Sequence, residues 1–165
     1  MHKSLVILAF VAACGASDQP NSAAPAQAVS SASPVLVAPA SDSSLVGLYE
    51  SGPPSRPNQL CVTQRGDTPQ FGLIVWGENM RSCSGAGTVE RSGDRLTLTM
   101  TGDSACRIDA RLSGGTVTLP GKLPESCAYY CGAGAHLEGA TLVRSGTGAA
   151  AAAKAKDLAG DPLCG

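Results

Sequence analysis

The sequence predicts a small all-β domain: an antiparallel barrel of about eight strands, stapled by disulfides, with a β-sandwich as the alternative. Three observations carry that prediction. From Leu45 onward, leucine and β-branched residues alternate with polar ones at the strand period of two. Glycine-containing turn sequences, among them Arg65-Gly66-Asp67, Ser92-Gly93-Asp94 and Ser113-Gly114-Gly115, recur about every eight to twelve residues. Six of the seven cysteines, an even number, lie within or after this region, which is the arithmetic of a domain held by cystines. About eight short strands suit a closed or nearly closed barrel whose interior is filled by side chains.

The chain begins with a different kind of sequence. Lys3 leads into an uncharged run from Leu5 to Ala13, too short for the ~20 residues that cross a bilayer as a helix, and a small-residue site follows. Residues 1–13 therefore read as an export signal. The stretch Val11-Ala12-Ala13-Cys14 resembles the bacterial lipoprotein signal, in which a branched apolar residue and two small residues precede a cysteine. That resemblance implies cleavage before Cys14 and acylation of its sulfur, giving an anchor of several chains where one alone is marginal. Gly15 follows the cysteine, not the aspartate that marks inner-membrane retention in many such proteins. The resemblance thus implies an outer-membrane lipid anchor with the domain in the periplasm, or alternatively at the cell surface.

Residues 14–44 read as a lipidated cysteine followed by a disordered tether. Gly15 to Ser44 contains eight alanines, eight serines and four prolines, with Asp18 and Asp42 as its charges and no aromatic residue. Such a segment has too little large apolar surface to offset the entropy of ordering it. As a coil it reaches roughly 30 Å, and stretched as polyproline II about 90 Å. Its one apolar island, Pro34-Val35-Leu36-Val37-Ala38-Pro39, is flanked by prolines that block growth of a β-ladder.

The β domain is assigned to residues 45–145. The clearest strand is Arg95-Leu96-Thr97-Leu98-Thr99-Met100-Thr101, which places Leu96, Leu98 and Met100 on a core face and the threonines opposite. Ser92-Gly93-Asp94 joins it to Gly87–Arg91, and Gly102-Asp103 leads to Ala105–Arg111. Ser113-Gly114-Gly115 then turns into Thr116–Leu119, while upstream Leu60–Gln64 and Phe71–Trp76 flank Arg65-Gly66-Asp67. Leu45–Tyr49 opens the set, and Ala133–Leu137 and Ala140–Arg144 are read as its closing strands.

Removing Cys14 leaves Cys61, Cys83, Cys106, Cys127, Cys131 and Cys164, and in an exported protein three bridges are expected. Laying the strands out as an up-and-down meander brings the first five to one end of the sheet. Cys83 to Cys106 is then the favoured bridge, with Cys164 bonding to Cys127 or Cys131 and Cys61 taking whichever remains. Bridges worth about 2 to 4 kcal/mol each matter in so aromatic-poor a domain.

Residues 146–165 form a separate tail. The alanines from Ala149 to Ala159 favour a helix of about eleven residues, with Gly160 as a left-handed cap and Pro162 forbidding continuation.

Chemistry is harder to find. After removal of the signal His136 is the one histidine, and it is read as a strand residue. The sequence contains no G-x-S-x-G, no H-E-x-x-H and no phosphate-cradling glycine loop. Cys127 and Cys131 with His136 lack a second close cysteine pair to complete a zinc site. Glu50, Glu78 and Glu90 show no spacing that pairs them for glycoside chemistry. These readings predict no enzyme, no metal and no cofactor. From Leu45 to Ser145 nine acidic residues balance nine basic ones without a basic run, which argues against nucleic acid. Trp76, Tyr129 and Tyr130 are the candidate recognition residues, since tyrosine and tryptophan are frequent interface anchors.

Two function classes follow. One is an envelope-anchored lipoprotein with a binding or structural role toward an envelope protein or a peptidoglycan-related partner. The other rests on Tyr129-Tyr130-Cys131-Gly132-Ala133-Gly134 and Ser84-Gly85-Ala86-Gly87. These stretches resemble the Tyr-x-Cys-x-x-Gly motif and the Ser-Gly loop of the membrane-bound lysozyme inhibitors. That resemblance implies a lipidated, disulfide-linked eight-stranded barrel that inserts Ser84 toward a lysozyme active site.

Overall fold

A computed structural model describes residues 44–164 of the chain. The signal segment, Cys14 and all of the alanine-serine-proline stretch before Ser44 lie outside the described residues. Eight strands follow in order: β1 (Gly47–Ser51), β2 (Asn58–Arg65), β3 (Thr68–Trp76), β4 (Ser82–Ser92), β5 (Arg95–Met100), β6 (Arg107–Ser113), β7 (Thr116–Thr118) and β8 (Thr141–Thr147). Each pairs antiparallel with the next, and β1 pairs with β8, so the sheet closes into a barrel. The closure carries a bulge between Leu48 and Tyr49.

The predicted turns form one end of this barrel. Arg65 pairs with Thr68 and Ser92 with Arg95, leaving two-residue loops whose first members, Gly66 and Gly93, have φ of 59° and 64°. That is the position a type II′ turn gives to glycine. Ser113 pairs with Thr116 across Gly114 and Gly115, both at positive φ, as a type I′ turn requires. These primed turns match the right-handed twist of the strands they join.

Alternation fills the lumen. Leu60 and Val62 of β2, Phe71, Leu73 and Val75 of β3, Leu96, Leu98 and Met100 of β5, and Ile108, Ala110 and Leu112 of β6 all point inward into one cluster. Their intervening residues point outward, so an eight-stranded circumference encloses a packed core. The expected barrel is the observed one.

Other expectations are corrected. Ala133–Leu137 is not a strand: Ala135 donates its N–H to the Gly132 carbonyl, Ala140 donates to Leu137, and the segment is a chain of turns. Ala135 and Leu137 are nevertheless buried, with an exposed His136 between them. The segment folds over the barrel mouth with strand-like burial while β7 and β1 already occupy both edges of β8.

The helix is also shorter than its alanines suggest. It comprises α1 (Gly148–Ala152), after which the chain turns back. Lys156 bridges to Pro162, Leu163 donates to the Ala155 carbonyl, and the Asp157 carboxylate accepts from the N–H groups of Ala159 and Asp161. Gly160 does adopt left-handed φ, at 88°, but it closes this turn rather than the helix. A short alanine helix is marginal alone, and here contacts with the barrel wall outweigh its propensity. Ala152, Ala155 and Leu163 pack with Leu48 and Cys61 on the outside of the barrel, and the Lys156 N–H donates to Gln59 at 3.1 Å.

The disulfides are Cys61–Cys164, Cys83–Cys131 and Cys106–Cys127. None of the expected pairings forms. Cys61 is a mid-strand residue between the inward-facing Leu60 and Val62, so its sulfur lies on the outer wall, where only the C-terminal strap can reach it. Cys83 belongs to β4, not to the end of β3, and stands opposite Cys131 in a β-bridge that the Gly132 N–H extends by donating to the Ser82 carbonyl. That leaves Cys106, just before β6, to the 3₁₀ segment carrying Cys127. Two bridges therefore brace one barrel end, and the third fastens the strap to the wall.

Candidate functional site

The end opposite the tight turns is built from long connections: residues 52–57, 77–81, 101–106 and 119–140. Its backbone is closely packed. A side chain at Gly77 would bring Cβ within 2.7 Å of the Gly134 carbonyl oxygen, so the β3–β4 turn needs glycine to lie against the long β7–β8 connection. Cys83–Cys131 and Cys106–Cys127 tie that same connection to β4 and to the start of β6.

Trp76 ends β3 on its outward face and is half-buried. Its backbone N–H donates to the Asn58 side-chain oxygen at 2.8 Å, and its indole N–H to the Pro57 carbonyl at 3.2 Å. The Arg56 guanidinium lies 5.4 Å from the ring centroid, a cation–π arrangement, and also donates to the Met80 sulfur at 2.7 Å. Met80 is 70% exposed. It and its neighbour Asn79 have φ of 63° and 51°, a left-handed pair that non-glycine residues rarely adopt and that costs on the order of 1 kcal/mol or more per residue. Strain of this kind displays a large apolar side chain at a fixed place.

Tyr129 and Tyr130 belong to the 3₁₀ segment Glu125–Tyr130. Their rings meet edge to face at 5.6 Å. Tyr130 packs down on the core, close enough to Gly85 and Gly102 that a Cβ on either would lie 3.1 Å from its ring or hydroxyl. Tyr129 points away and is 87% exposed. The tyrosine pair and Trp76 thus stand on separate elements of one barrel end. Trp76 is engaged by Arg56, Asn58 and Pro57, and the two tyrosines by each other.

Ser84 lies elsewhere. It sits inside β4, paired with Ile74, on the outer wall and not on a loop. The carboxylates Glu50, Glu78 and Glu90 occupy β1, the β3–β4 turn and β4 respectively, and Glu50 accepts a hydrogen bond from Gln59 at 2.8 Å. His136, expected on a strand, is exposed on the turn-rich segment. With Leu123, Cys127, Ala128, Cys131 and Ala135 it lines an open cleft of about 240 Å³ over the barrel mouth. Among the described residues no group of three or more histidine, cysteine or acidic side chains is placed to hold a metal ion, and all six cysteines are bonded to one another. No described helix is long and apolar enough to cross a membrane.

Sequence reasoning singled out Trp76, Tyr129 and Tyr130 and passed over Arg56 and Met80, which the structure places beside Trp76. The available signal was weak: Gly77-Glu78-Asn79-Met80 is a turn without glycine at its left-handed positions, though asparagine tolerates that region better than most residues.

The fold and its bridges define a disulfide-linked, closed eight-stranded antiparallel barrel. No protein-family model, no curated protein and no solved structure matches the chain.

Proposed function

We propose that this chain is an envelope lipoprotein, acylated at Cys14 and held at the outer membrane with its barrel in the periplasm, whose long-loop end binds another envelope component. Export is supported by the basic and apolar start, and the lipid anchor by Val11-Ala12-Ala13-Cys14. Three disulfides fit an oxidising compartment. The observation that carries the binding role is the pairing of rigidity with apolar display. Met80 and Tyr129, two of the most exposed large apolar side chains described, stand at the one barrel end braced by two cystines. A pre-ordered surface loses little entropy on docking. The reading assigns the domain no catalysis. The partner class is an envelope protein or a peptidoglycan-associated one.

Photocrosslinking in the native envelope tests this reading. A crosslinking residue at Tyr129 or Met80 captures a discrete partner, whereas one at Thr97, on the polar outer wall of β5, does not. Adducts that are equal at all three sites, or absent from all, overturn it. Incorporation of labelled fatty acid tests the anchor separately, since Cys14→Ser abolishes it if the reading holds.

The lysozyme-inhibitor alternative has the eight-stranded, disulfide-linked barrel in its favour and the placement of Ser84 within a strand against it. Mixing the purified protein with lysozyme decides between them: a stable complex favours the inhibitor.

A further inference from the structure

We propose that Cys61–Cys164 is a thiol-exchange site, the bond at which a protein dithiol releases the C-terminal strap from the barrel wall without opening the barrel. The inference is independent of acylation at Cys14 and of docking at the long-loop end.

The three bridges hold unlike things. Cys83 and Cys131 face each other in a β-bridge that the Gly132 N–H extends to the Ser82 carbonyl, and Cys106 and Cys127 are both buried in the core cluster. If either of these bonds is cut, the other still ties residues 119–140 to the barrel. The separated sulfurs therefore stay at close quarters, and the bond re-forms. Cys61–Cys164 has no such neighbour, because it is the one cystine between the strap, residues 153–164, and the wall.

The strap is also separable from the barrel. Pairing of β1 with β8 closes the sheet, and none of the eight strands includes the strap. The apolar part of its grip comes from Ala155 and Leu163, beside Ala152 of α1, against Leu48 and Cys61, and its Lys156 N–H donates to the Gln59 side chain. The bridge from Lys156 to Pro162 and the bond from the Leu163 N–H to the Ala155 carbonyl lie within the strap and travel with it.

Cys61 is fully buried, whereas Cys164 is half-buried. An open groove of about 200 Å³, lined by Thr63, Gln70, Ala86 and Leu163 among others, reaches Cys164 and not Cys61. The cleft over the barrel mouth touches Cys127 and Cys131 too, so access alone does not single out a bridge. Separation after cleavage does. One thiolate of the dithiol attacks the Cys164 sulfur and forms a mixed disulfide there, while the Cys61 sulfur leaves with the electron pair of the broken bond and takes a proton. The second thiol of the dithiol then loses its proton, attacks its partner sulfur in the mixed disulfide and expels Cys164, which is protonated in turn. The dithiol ends as a disulfide, and Cys61 and Cys164 together gain two electrons and two protons.

Release changes what the wall presents. Leu48, Cys61, Gly72 and Ala86 are successive cross-strand partners, an apolar row running over four strands. The strap crosses that row at Gly72, where an added Cβ would meet the Leu163 carbonyl and side chain. Outward positions of β5 and β6 are by contrast Thr97, Thr99, Arg107, Asp109 and Arg111.

Graded dithiothreitol acting on the folded full chain, with iodoacetamide trapping and peptide mapping, tests the site. Cys61 and Cys164 should become labelled at a dithiol concentration at least about tenfold below that needed for the other four cysteines. Amides of the strap and of the row from Leu48 to Ala86 should then lose exchange protection while those of the primed turns keep theirs. C164S should show the same pattern without reductant. Labelling of another cystine first or at the same concentration, loss of the barrel amides together with the strap, or a strap that stays protected in the reduced chain overturns the proposal. The reduced parent chain carries the test by itself if C164S does not fold.

Discussion

The two ends of the barrel are closed by opposite means. At one, β2 to β3, β4 to β5 and β6 to β7 are joined by two-residue turns whose glycines sit at positive φ. At the other, connections of up to 22 residues are packed against each other and fixed by Cys83–Cys131 and Cys106–Cys127. A primed turn closes itself, because its backbone geometry and its hydrogen bonds are local. A long connection closes a larger loop and must be held by contacts distant in sequence. The tight end is therefore ordered by its own residues and the open end by covalent bonds across the fold. Chain length at the open end also leaves large apolar side chains exposed, Met80 and Tyr129 among them, while the tight end presents arginines.

The comparison predicts graded responses. The largest follows from the lumen, which both ends share. Phe71→Ala removes a side chain only 2% exposed and should cost about 3–5 kcal/mol, lowering protection from hydrogen exchange at both ends together. Protection lost at one end alone would show that the barrel is not one cooperative unit. Next is the double replacement Cys106→Ala with Cys127→Ala. It should cost about 3 kcal/mol in chemical denaturation and loosen amides of residues 119–140 well before those of the primed turns. Equal loosening at the two ends would contradict the division of labour between them.

A smaller effect is expected from Gly72→Ala. The strap passes so closely over Gly72 that an added Cβ would lie 2.9 Å from the Leu163 carbonyl carbon. The strap must move, at about 1–3 kcal/mol, and carboxypeptidase should then trim the C-terminus of the variant faster than that of the parent. An unchanged trimming rate would mean that Cys61–Cys164 alone holds the strap. The smallest stability change belongs to Tyr129→Ala, within about 0.5 kcal/mol for so exposed a position, with loss of the crosslinked partner. If melting temperature falls by several degrees instead, Tyr129 is structural and the recognition role passes to Met80 and Arg56.

Much of this architecture is legible in the residues themselves. Arg95–Met100 alternates strictly because one of its faces is buried, and Gly66, Gly93 and Gly114 mark turns because their positive φ disfavours most other residues. The strand count and the closed barrel follow from those two signals. The parity that puts Cys61 outside was also readable: Leu60 and Val62 claim the lumen, so the residue between them faces away. Ala133–Leu137 was not readable as a loop. Its alternation reports burial over the barrel mouth, and burial is common to a strand and to a chain of turns; only the hydrogen-bond partners distinguish them.

By itself, then, the sequence determined what rests on local physics: period-two burial, left-handed glycine positions, an even complement of cysteines in the domain, and the abrupt change of composition near Leu45. The tertiary structure decided what depends on which distant segments meet. It chose one cystine connectivity out of fifteen, ended α1 after five residues so that Ala155 and Leu163 reach the wall, and held Met80 in a left-handed conformation beside Arg56. It also brought Arg91 and Arg144, 53 positions apart in the chain, to one opening. Such choices arise from closure of the sheet and from contacts across it, and no window of neighbouring residues contains that information.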